Sequence, residues 1–157
     1  MLSNQMENQK IQELILSNFP DAQVTIGKQF LTVSIDKSNL TKLAGFLKQN
    51  TETSFDYLYC ESAVDYNDRF EIVYHLDSTK HRHQMVLKSR IGDRNNPEID
   101  SVFDIWVGAE YHEREIFDLF GIRFINHPDL RKIFLDNDWV GFPLRKDYVD
   151  DINIVER

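Results

Sequence analysis

The sequence predicts an α+β protein: a two-layer α/β domain with a mixed β-sheet, followed by an extended irregular C-terminal tail. Apolar residues recur at helical spacing in three segments and alternate with polar residues in five others, in the order helix, two strands, helix, three strands, helix. This order is typical of helices packed against one sheet. A length of 157 residues suits one hydrophobic core. We therefore expect residues 1–124 to form the α/β domain and residues 125–157 to form a partner-docking tail.

The first part of the chain is predicted to contain two helices on either side of a hairpin. Apolar spacing over residues 11–15 indicates a helix that ends near Phe19. Alternating residues over 24–35 then predict two strands joined by a turn. A second apolar stripe over residues 40–47 predicts the next helix, and Ser38 is placed to cap its N-terminus.

Three further strands are predicted in the middle of the chain. Apolar and alternating runs place them at residues 57–64, 70–76 and 82–89. Residues 77–79 are expected to form the turn between the second and third of these strands. Residues 92–100 are polar and include a proline, so they are expected to form a loop.

A third helix is predicted over about residues 109–120, with Gly121 as its C-cap. Its apolar stripe includes a carboxylate, because the helical spacing is filled by Glu113, Ile116, Phe117 and Phe120. A buried carboxylate must be paired or hydrogen-bonded, since desolvating a lone charge costs several kcal/mol. We favour burial of Glu113, with Arg145 or Lys146 as its partner, over a position at the solvated rim of the stripe.

Composition and glycine spacing argue against several classes of function. The net charge of −8 argues against non-specific nucleic-acid binding. The single cysteine, Cys60, cannot supply the set of thiolates that an iron–sulfur cluster needs. No phosphate-binding glycine loop is present, which gives no support for a flavin or nicotinamide site. The sequence contains no apolar run near the roughly 20 residues of a membrane helix and no signal-peptide pattern, so we expect no direct membrane insertion.

A small metal-dependent hydrolase is the alternative of a different class. The His112-Glu113 pair does not complete a zinc-protease motif, because Ile116 stands where the second histidine is needed. His81 and His83 share one face of a predicted strand, and His75 could approach them across the turn. Three imidazoles can bind zinc, although no further ligand completes the set; a solvated hairpin is the other interpretation.

The tail has features that distinguish it from a simple loop. Residues 138–148 combine glycine and proline, which fix turns, with aromatic rings and alternating charges. Irregular chain with this many large apolar groups must pack either on its own domain or on another protein.

Three blocks carry a family resemblance: WVGAEYHEREIFDLFGI at residues 106–122, HPDLRKIF at 127–134, and the segment at 138–148 that ends in PLRKDY. In order and spacing they resemble the signature of the 30 kDa subunit family of respiratory complex I, the family of the C subunits of NADH-quinone oxidoreductases. The resemblance covers roughly residues 55–150. The chain departs from the family pattern at 110–112, where asparagine and tryptophan are usual, and at Phe142 and Val149, where histidine and proline are common.

The resemblance implies a non-catalytic scaffold subunit in the peripheral arm of a proton-pumping NADH:quinone oxidoreductase. The tail would lie on the 49 kDa-type subunit, while FMN and iron–sulfur clusters would belong to other subunits and none to this chain. The complex would sit at the cytoplasmic side of the inner (plasma) membrane. The equivalent subunit of a ferredoxin-dependent or membrane-bound hydrogenase-type complex is the alternative; because the chain is short and unfused, we expect the complex I or ferredoxin-dependent version.

Two sets of residues follow from these arguments. The expected partner interface consists of Asp129, Arg131, Trp139, Phe142, Arg145, Lys146, Asp147 and Tyr148. The expected structural residues are Trp106, Glu113, Arg114, Phe117 and Gly121. On this basis Arg145→Glu is expected to weaken assembly while leaving the domain folded.

Overall fold

The computed structural model describes residues 2–150, with side chains described from residue 7 onward. Within that part the helices are α1 (Leu2–Asn18), α2 (Leu40–Gln49) and α3 (Ala109–Phe120). The strands are β1 (Gln23–Ile26), β2 (Leu31–Asp36), β3 (Tyr57–Asp65), β4 (Phe70–Ser78), β5 (His83–Ile91), β6 (Glu98–Asp100) and β7 (Arg123–Ile125).

The main sheet has five strands in the order β1-β2-β5-β4-β3. It is mixed, because β2 and β5 run parallel whereas the other neighbours are antiparallel. β6 and β7 form a separate two-stranded parallel pair. The predicted two-layer α/β fold with a mixed sheet and an irregular tail is therefore confirmed.

The core lies between the helices and one face of the sheet. Along β2 the residues Leu31, Val33 and Ile35 are buried and alternate with more exposed neighbours, so one face of the strand points inward. The same apolar cluster includes Ile15 of α1 and Leu43 of α2. Burying each such side chain stabilises the fold by about 1.5–3 kcal/mol, so this cluster is what holds the two layers together.

Two local predictions were wrong. Ser38 does not cap α2: it lies in a short 3₁₀ turn, where its backbone N–H donates to the Asp36 carboxylate at 3.0 Å and its hydroxyl does so at 2.7 Å. Asp36 closes this turn first, and α2 begins only at Leu40. The turn predicted at residues 77–79 is shifted, since β4 continues through Ser78.

The loop predicted at residues 92–100 ends in a strand. β6 occupies Glu98–Asp100 and pairs with β7, which crosses the boundary expected between residues 124 and 125. Both strands have only three residues, which is too short for an alternating pattern to be recognised.

Gly121 ends α3 as predicted. Its backbone is left-handed, with φ of 71°, and its N–H donates to the Phe117 carbonyl at 2.9 Å. A Cβ at this position would lie 2.4 Å from the ring of Phe142, so the glycine also makes room for the tail.

Gly121→Ala should therefore lower the free energy of unfolding by about 1–3 kcal/mol, through left-handed strain and displacement of the Phe142 ring. Gly45→Ala is the matched control, because Gly45 lies inside α2 and an added Cβ meets nothing within 4 Å. That variant should gain roughly 0.5–1 kcal/mol. Urea titration of both proteins measures the difference, and equal stability of the two variants would contradict the close contact between Gly121 and the tail.

Candidate partner-docking site

The tail is attached to α3 through one buried carboxylate. Oδ2 of Asp118 accepts hydrogen bonds from the backbone N–H groups of Ile133, Phe134 and Leu135 at 3.0, 2.7 and 3.0 Å. Asp118 is fully buried, and burial alone would raise the pKa of its carboxyl. The three amide donors outweigh that effect and hold the pKa below its usual range. An ionised Asp118 therefore fixes the shape of this part of the tail.

A second buried carboxylate holds the end of the tail. Asp65, the last residue of β3, accepts two bonds from the guanidinium of Arg94 and one from the backbone N–H of Lys146 at 3.0 Å. The side chain of Asp65 is 2% exposed. The hydrogen bonds from Arg94 are the largest cause of a pKa well below the usual range for this carboxyl.

Arg145, expected at the partner interface, serves its own chain. Its guanidinium donates to the Arg94 carbonyl at 3.0 Å and to the carboxylate of Asp147 at 3.0 Å, and it lies 5.1 Å from the ring centre of Phe70. Only 15% of its side chain is exposed. Replacing Arg145 therefore perturbs the packing of the tail on the domain as well as any contact with a partner.

Arg114 connects α3 to the start of the tail. Its side chain is 5% exposed, and Nε donates to the carbonyl of Arg131 at 3.2 Å. The side chains of Asp129 and Arg131 form an exposed ion pair at 2.8 Å. A pair of this kind adds little stability, which leaves both side chains available at the surface.

We call the outward-facing apolar part of the tail the exposed tail face. Its members are Phe134 (64% exposed), Trp139 (40%), Val140 (86%), Leu144 (52%) and Val149 (73%). Near its C-terminal end is a concavity of about 290 Å³ lined by Val140, Gly141, Phe142, Arg145, Asp147, Tyr148 and Val149. Apolar side chains clustered on one short segment are typical of a protein–protein contact.

The structure separates the eight expected interface residues into three groups. The side chains of Phe142, Arg145, Asp147 and Tyr148 line the concavity. Trp139 and Lys146 are exposed, although the backbone N–H of Lys146 is held by Asp65. Asp129 and Arg131 form their ion pair beside α3, at the other end of the tail.

Sequence reasoning missed the residues that fix the tail and several that face outward. The anchors Asp65, Arg94 and Asp118 carried no signal of their role, because their partners lie 15 to 81 positions away in the chain. The exposed Phe134 and Val140 were not singled out either, although both lie in the blocks that carried the family resemblance.

The expected structural residues are largely internal. The indole N–H of Trp106 donates to the carbonyl of Phe55 at 2.9 Å. Glu113 is fully buried, as expected, but the proposed partners Arg145 and Lys146 are wrong. Its carboxylate instead accepts from the backbone N–H of Val102 at 2.7 Å and from the hydroxyl of Ser101. The connection from β6 to α3 reaches this carboxylate before the tail does.

The histidines do not form the expected zinc site. Nε2 of His81 and Nε2 of His83 lie 2.8 and 3.0 Å from backbone carbonyls, and His75 contacts the Tyr59 hydroxyl at 3.5 Å. Among residues 2–150 no three ligand-type side chains are arranged to hold a metal ion. The hydrolase alternative therefore loses its structural basis.

Helix length and polarity were compared with the thickness of a membrane. In the part of the chain that the structure describes, no helix is both long enough and apolar enough to span a bilayer.

These features define a protein of the scaffold type: an α/β domain that holds an irregular tail in a fixed shape and presents apolar side chains outward. Residues 33–151 match the family model described as respiratory-chain NADH dehydrogenase, 30 Kd subunit. The chain belongs to that family.

Individual relatives agree with this assignment. The C subunit of NADH-quinone oxidoreductase from Roseiflexus sp. (strain RS-1) is 39% identical over 148 residues, which cover 90% of this chain and 84% of the relative. The C/D subunit of the same enzyme from Phocaeicola vulgatus is 46% identical over 108 residues, which cover 68% of this chain but only 21% of that longer protein. A chain of the membrane-bound sulfane sulfur reductase, an archaeal respiratory membrane complex, has a TM-score of 0.79 at 25% identity and covers 93% of this chain and 87% of its own.

Proposed function

We propose that this chain is a non-catalytic scaffold subunit in the peripheral arm of a proton-pumping NADH:quinone oxidoreductase. The exposed tail face docks on the 49 kDa-type subunit, the D subunit of that enzyme. The observation that carries this proposal is a run of exposed apolar side chains on a segment whose backbone is fixed by the buried Asp118 and Asp65. A preorganised segment loses little conformational entropy on binding, which favours a stable contact.

The choice of partner has separate support. The Phocaeicola vulgatus relative bears the double designation C/D, which places counterparts of both subunits in one polypeptide. Two units that are joined in one chain gain a high effective concentration for each other, as expected for partners that work in contact.

The redox groups are proposed to lie in other subunits. Cys60 is the only cysteine of this chain, and the sequence lacks a phosphate-binding glycine loop. FMN and the iron–sulfur clusters would therefore belong to neighbouring chains. The protein would be held peripherally at the cytoplasmic side of the inner (plasma) membrane by its partners.

The equivalent subunit of a different membrane complex is the second candidate. The structural similarity to a chain of the sulfane sulfur reductase, with a TM-score of 0.79, favours keeping it, together with the ferredoxin-dependent and hydrogenase-type complexes. The same tail would dock on the corresponding large subunit there. The companion subunits that co-purify with this chain distinguish these possibilities.

Docking can be tested with substitutions on the exposed tail face. Trp139→Ala and Val140→Asp should weaken binding of the 49 kDa-type subunit at least tenfold, because buried apolar anchors dominate interface energy. Thr25→Asp introduces the same charge on the exposed surface of β1, at the opposite edge of the sheet from β3, and should bind normally.

Pull-down of the partner with each full-length variant measures the effect, with circular dichroism as the folding control. Undiminished recovery with both tail variants would reject the exposed tail face as the docking surface. Arg145→Glu is a less direct test, because that guanidinium also holds Asp147 and the Arg94 carbonyl within this chain.

A further inference from the structure

Two acidic side chains lie inside the core. Glu113 of α3 is 0% exposed and Glu61 of β3 is 4% exposed. The oxygens of Glu113 are hydrogen-bonded to Ser101 and Val102, as described above. In contrast, neither carboxyl oxygen of Glu61 has a hydrogen-bond partner among the described residues. An ionised carboxylate without partners costs several kcal/mol to bury, so such a group is expected to take up a proton.

The fold brings these carboxyls to one side of the sheet. Glu61 lies directly opposite Tyr74 in the antiparallel pair of β3 and β4, so the two side chains share the face that meets the core. α3 packs against β3, and Glu113 is the helix charge that acts on Glu61. The hydroxyl of Tyr74 is also buried and without a hydrogen-bond partner among the described residues.

The surroundings hold no cation that compensates Glu61. The titratable groups that act on it are Glu113 from α3 and Cys60 from its own strand. Tyr74 from β4 feels both carboxyls and also Asp100, at the end of β6. No ion pair of Glu61 exists within residues 2–150 at salt-bridge distance.

His127 is close to Glu113 but does not supply a positive charge. Its Nε2 is 3.9 Å from the Glu113 carboxylate and 3.0 Å from the carbonyl of Glu110. Its Nδ1 accepts the backbone N–H of Asp129 at 3.0 Å. A ring nitrogen that accepts carries no proton, so the proton lies on Nε2 and the imidazole is neutral in this arrangement.

We propose that Glu61 and Glu113 form a buried proton-holding pair that couples the stability of this protein, and of the β6–α3 connection bound to Glu113, to pH. Burial raises the pKa of Glu113 to about 7, against the lowering effect of its two hydrogen bonds. Burial, and then the charge of Glu113, raise the pKa of Glu61 well above its ordinary value. The inference concerns the core of the domain and is independent of where the tail docks.

The sign of the pH effect follows from linkage. A carboxyl with a pKa raised in the folded state keeps its proton there after the unfolded chain has released it. For Glu113 the stabilising effect of the proton is complete below the ordinary value of 4.5 and is lost as the pH rises to about 7. For each extra proton held by the folded state, the unfolding equilibrium constant should rise by up to about tenfold per pH unit within this window.

The test compares the full-length chain with Glu61→Gln and with Glu115→Gln, a control at an exposed position of α3. Denaturant titrations between pH 5 and pH 7.5 give the unfolding constant of each protein. The wild type and Glu115→Gln should lose stability as the pH rises, whereas Glu61→Gln should lose about one proton's worth of that slope, up to about tenfold per pH unit. Equal slopes for all three proteins would overturn the proposal.

A measurement on the wild type covers the case in which Glu61→Gln does not fold. Carbon-13 NMR of the glutamate side-chain carboxyls follows each titration directly in the folded protein. Two carboxyls should titrate well above the ordinary value of 4.5. If every glutamate carboxyl titrates near that value, the buried pair holds no proton and the proposal is wrong.

Discussion

Asp65→Ala is expected to release the end of the tail and to lower the free energy of unfolding by about 3–5 kcal/mol. Removing one partner of a buried ion pair leaves the other charge uncompensated, and that loss has this magnitude. Here the variant would strand the guanidinium of Arg94, which is 18% exposed, and would free the backbone N–H of Lys146. Urea unfolding at neutral pH measures the change.

The neighbouring turn provides a matched control. Asp68 also pairs with an arginine, Arg69 at 2.9 Å, but 69% of its side chain is exposed. Asp68→Ala should therefore change stability by less than about 1 kcal/mol. Similar losses for the two variants would show that Asp65 acts as an ordinary surface charge and does not anchor the tail.

The acid limb of the stability curve gives a second readout for Asp65. Its pKa in the folded state is lower than the ordinary value of 3.8. The stabilisation is therefore present above that value and is lost as the pH falls through the lower folded value. The stability difference between wild type and Asp65→Asn should be constant near neutral pH and shrink below about pH 3.8. A constant difference throughout the acid range would contradict this assignment.

Asp118→Ala is expected to loosen the tail where it leaves α3. The variant removes an acceptor shared by the backbone N–H groups of Ile133, Phe134 and Leu135. Since hydrogen bonds to a charged group contribute about 1.5–3 kcal/mol each, and these share one oxygen, the loss should be on the order of 3 kcal/mol.

Hydrogen exchange locates this effect more directly than global unfolding. The amides of residues 133–135 should exchange at least tenfold faster in Asp118→Ala, while those of β4 should change only with global stability. Glu115→Ala, at an exposed position of the same helix, should leave the tail amides protected. Unchanged exchange at residues 133–135 in Asp118→Ala would show that the tail is held by other contacts.

The regular elements of this fold could be predicted wherever the chain is long enough to show a period. α3 was placed at its observed bounds because a clear apolar stripe ends at Gly121. β6 and β7 were missed because three residues define no alternation. Ser38 was preferred as a cap because helix propensity does not reveal that Asp36 forms a tighter local turn first.

The candidate site was less accessible to sequence reasoning. Burial of Glu113 followed from its place on the stripe, but its partners came from a loop 11 and 12 positions earlier, which no periodicity connects to the helix. In the irregular tail nothing in the pattern separates an inward Arg145 from an outward Val140. Only the three-dimensional arrangement of Asp65, Arg94 and Asp118 decides which side chains face a partner.

Site-specific photo-crosslinking within the assembled native complex tests the central proposal most directly. A photoreactive amino acid at position 140 lies on the exposed tail face, whereas one at position 28 lies on the turn after β1, equally open to solvent. The account predicts that position 140 crosslinks to the 49 kDa-type subunit and that position 28 does not. Crosslinks to that subunit from position 28 but none from position 140 would contradict docking through the tail.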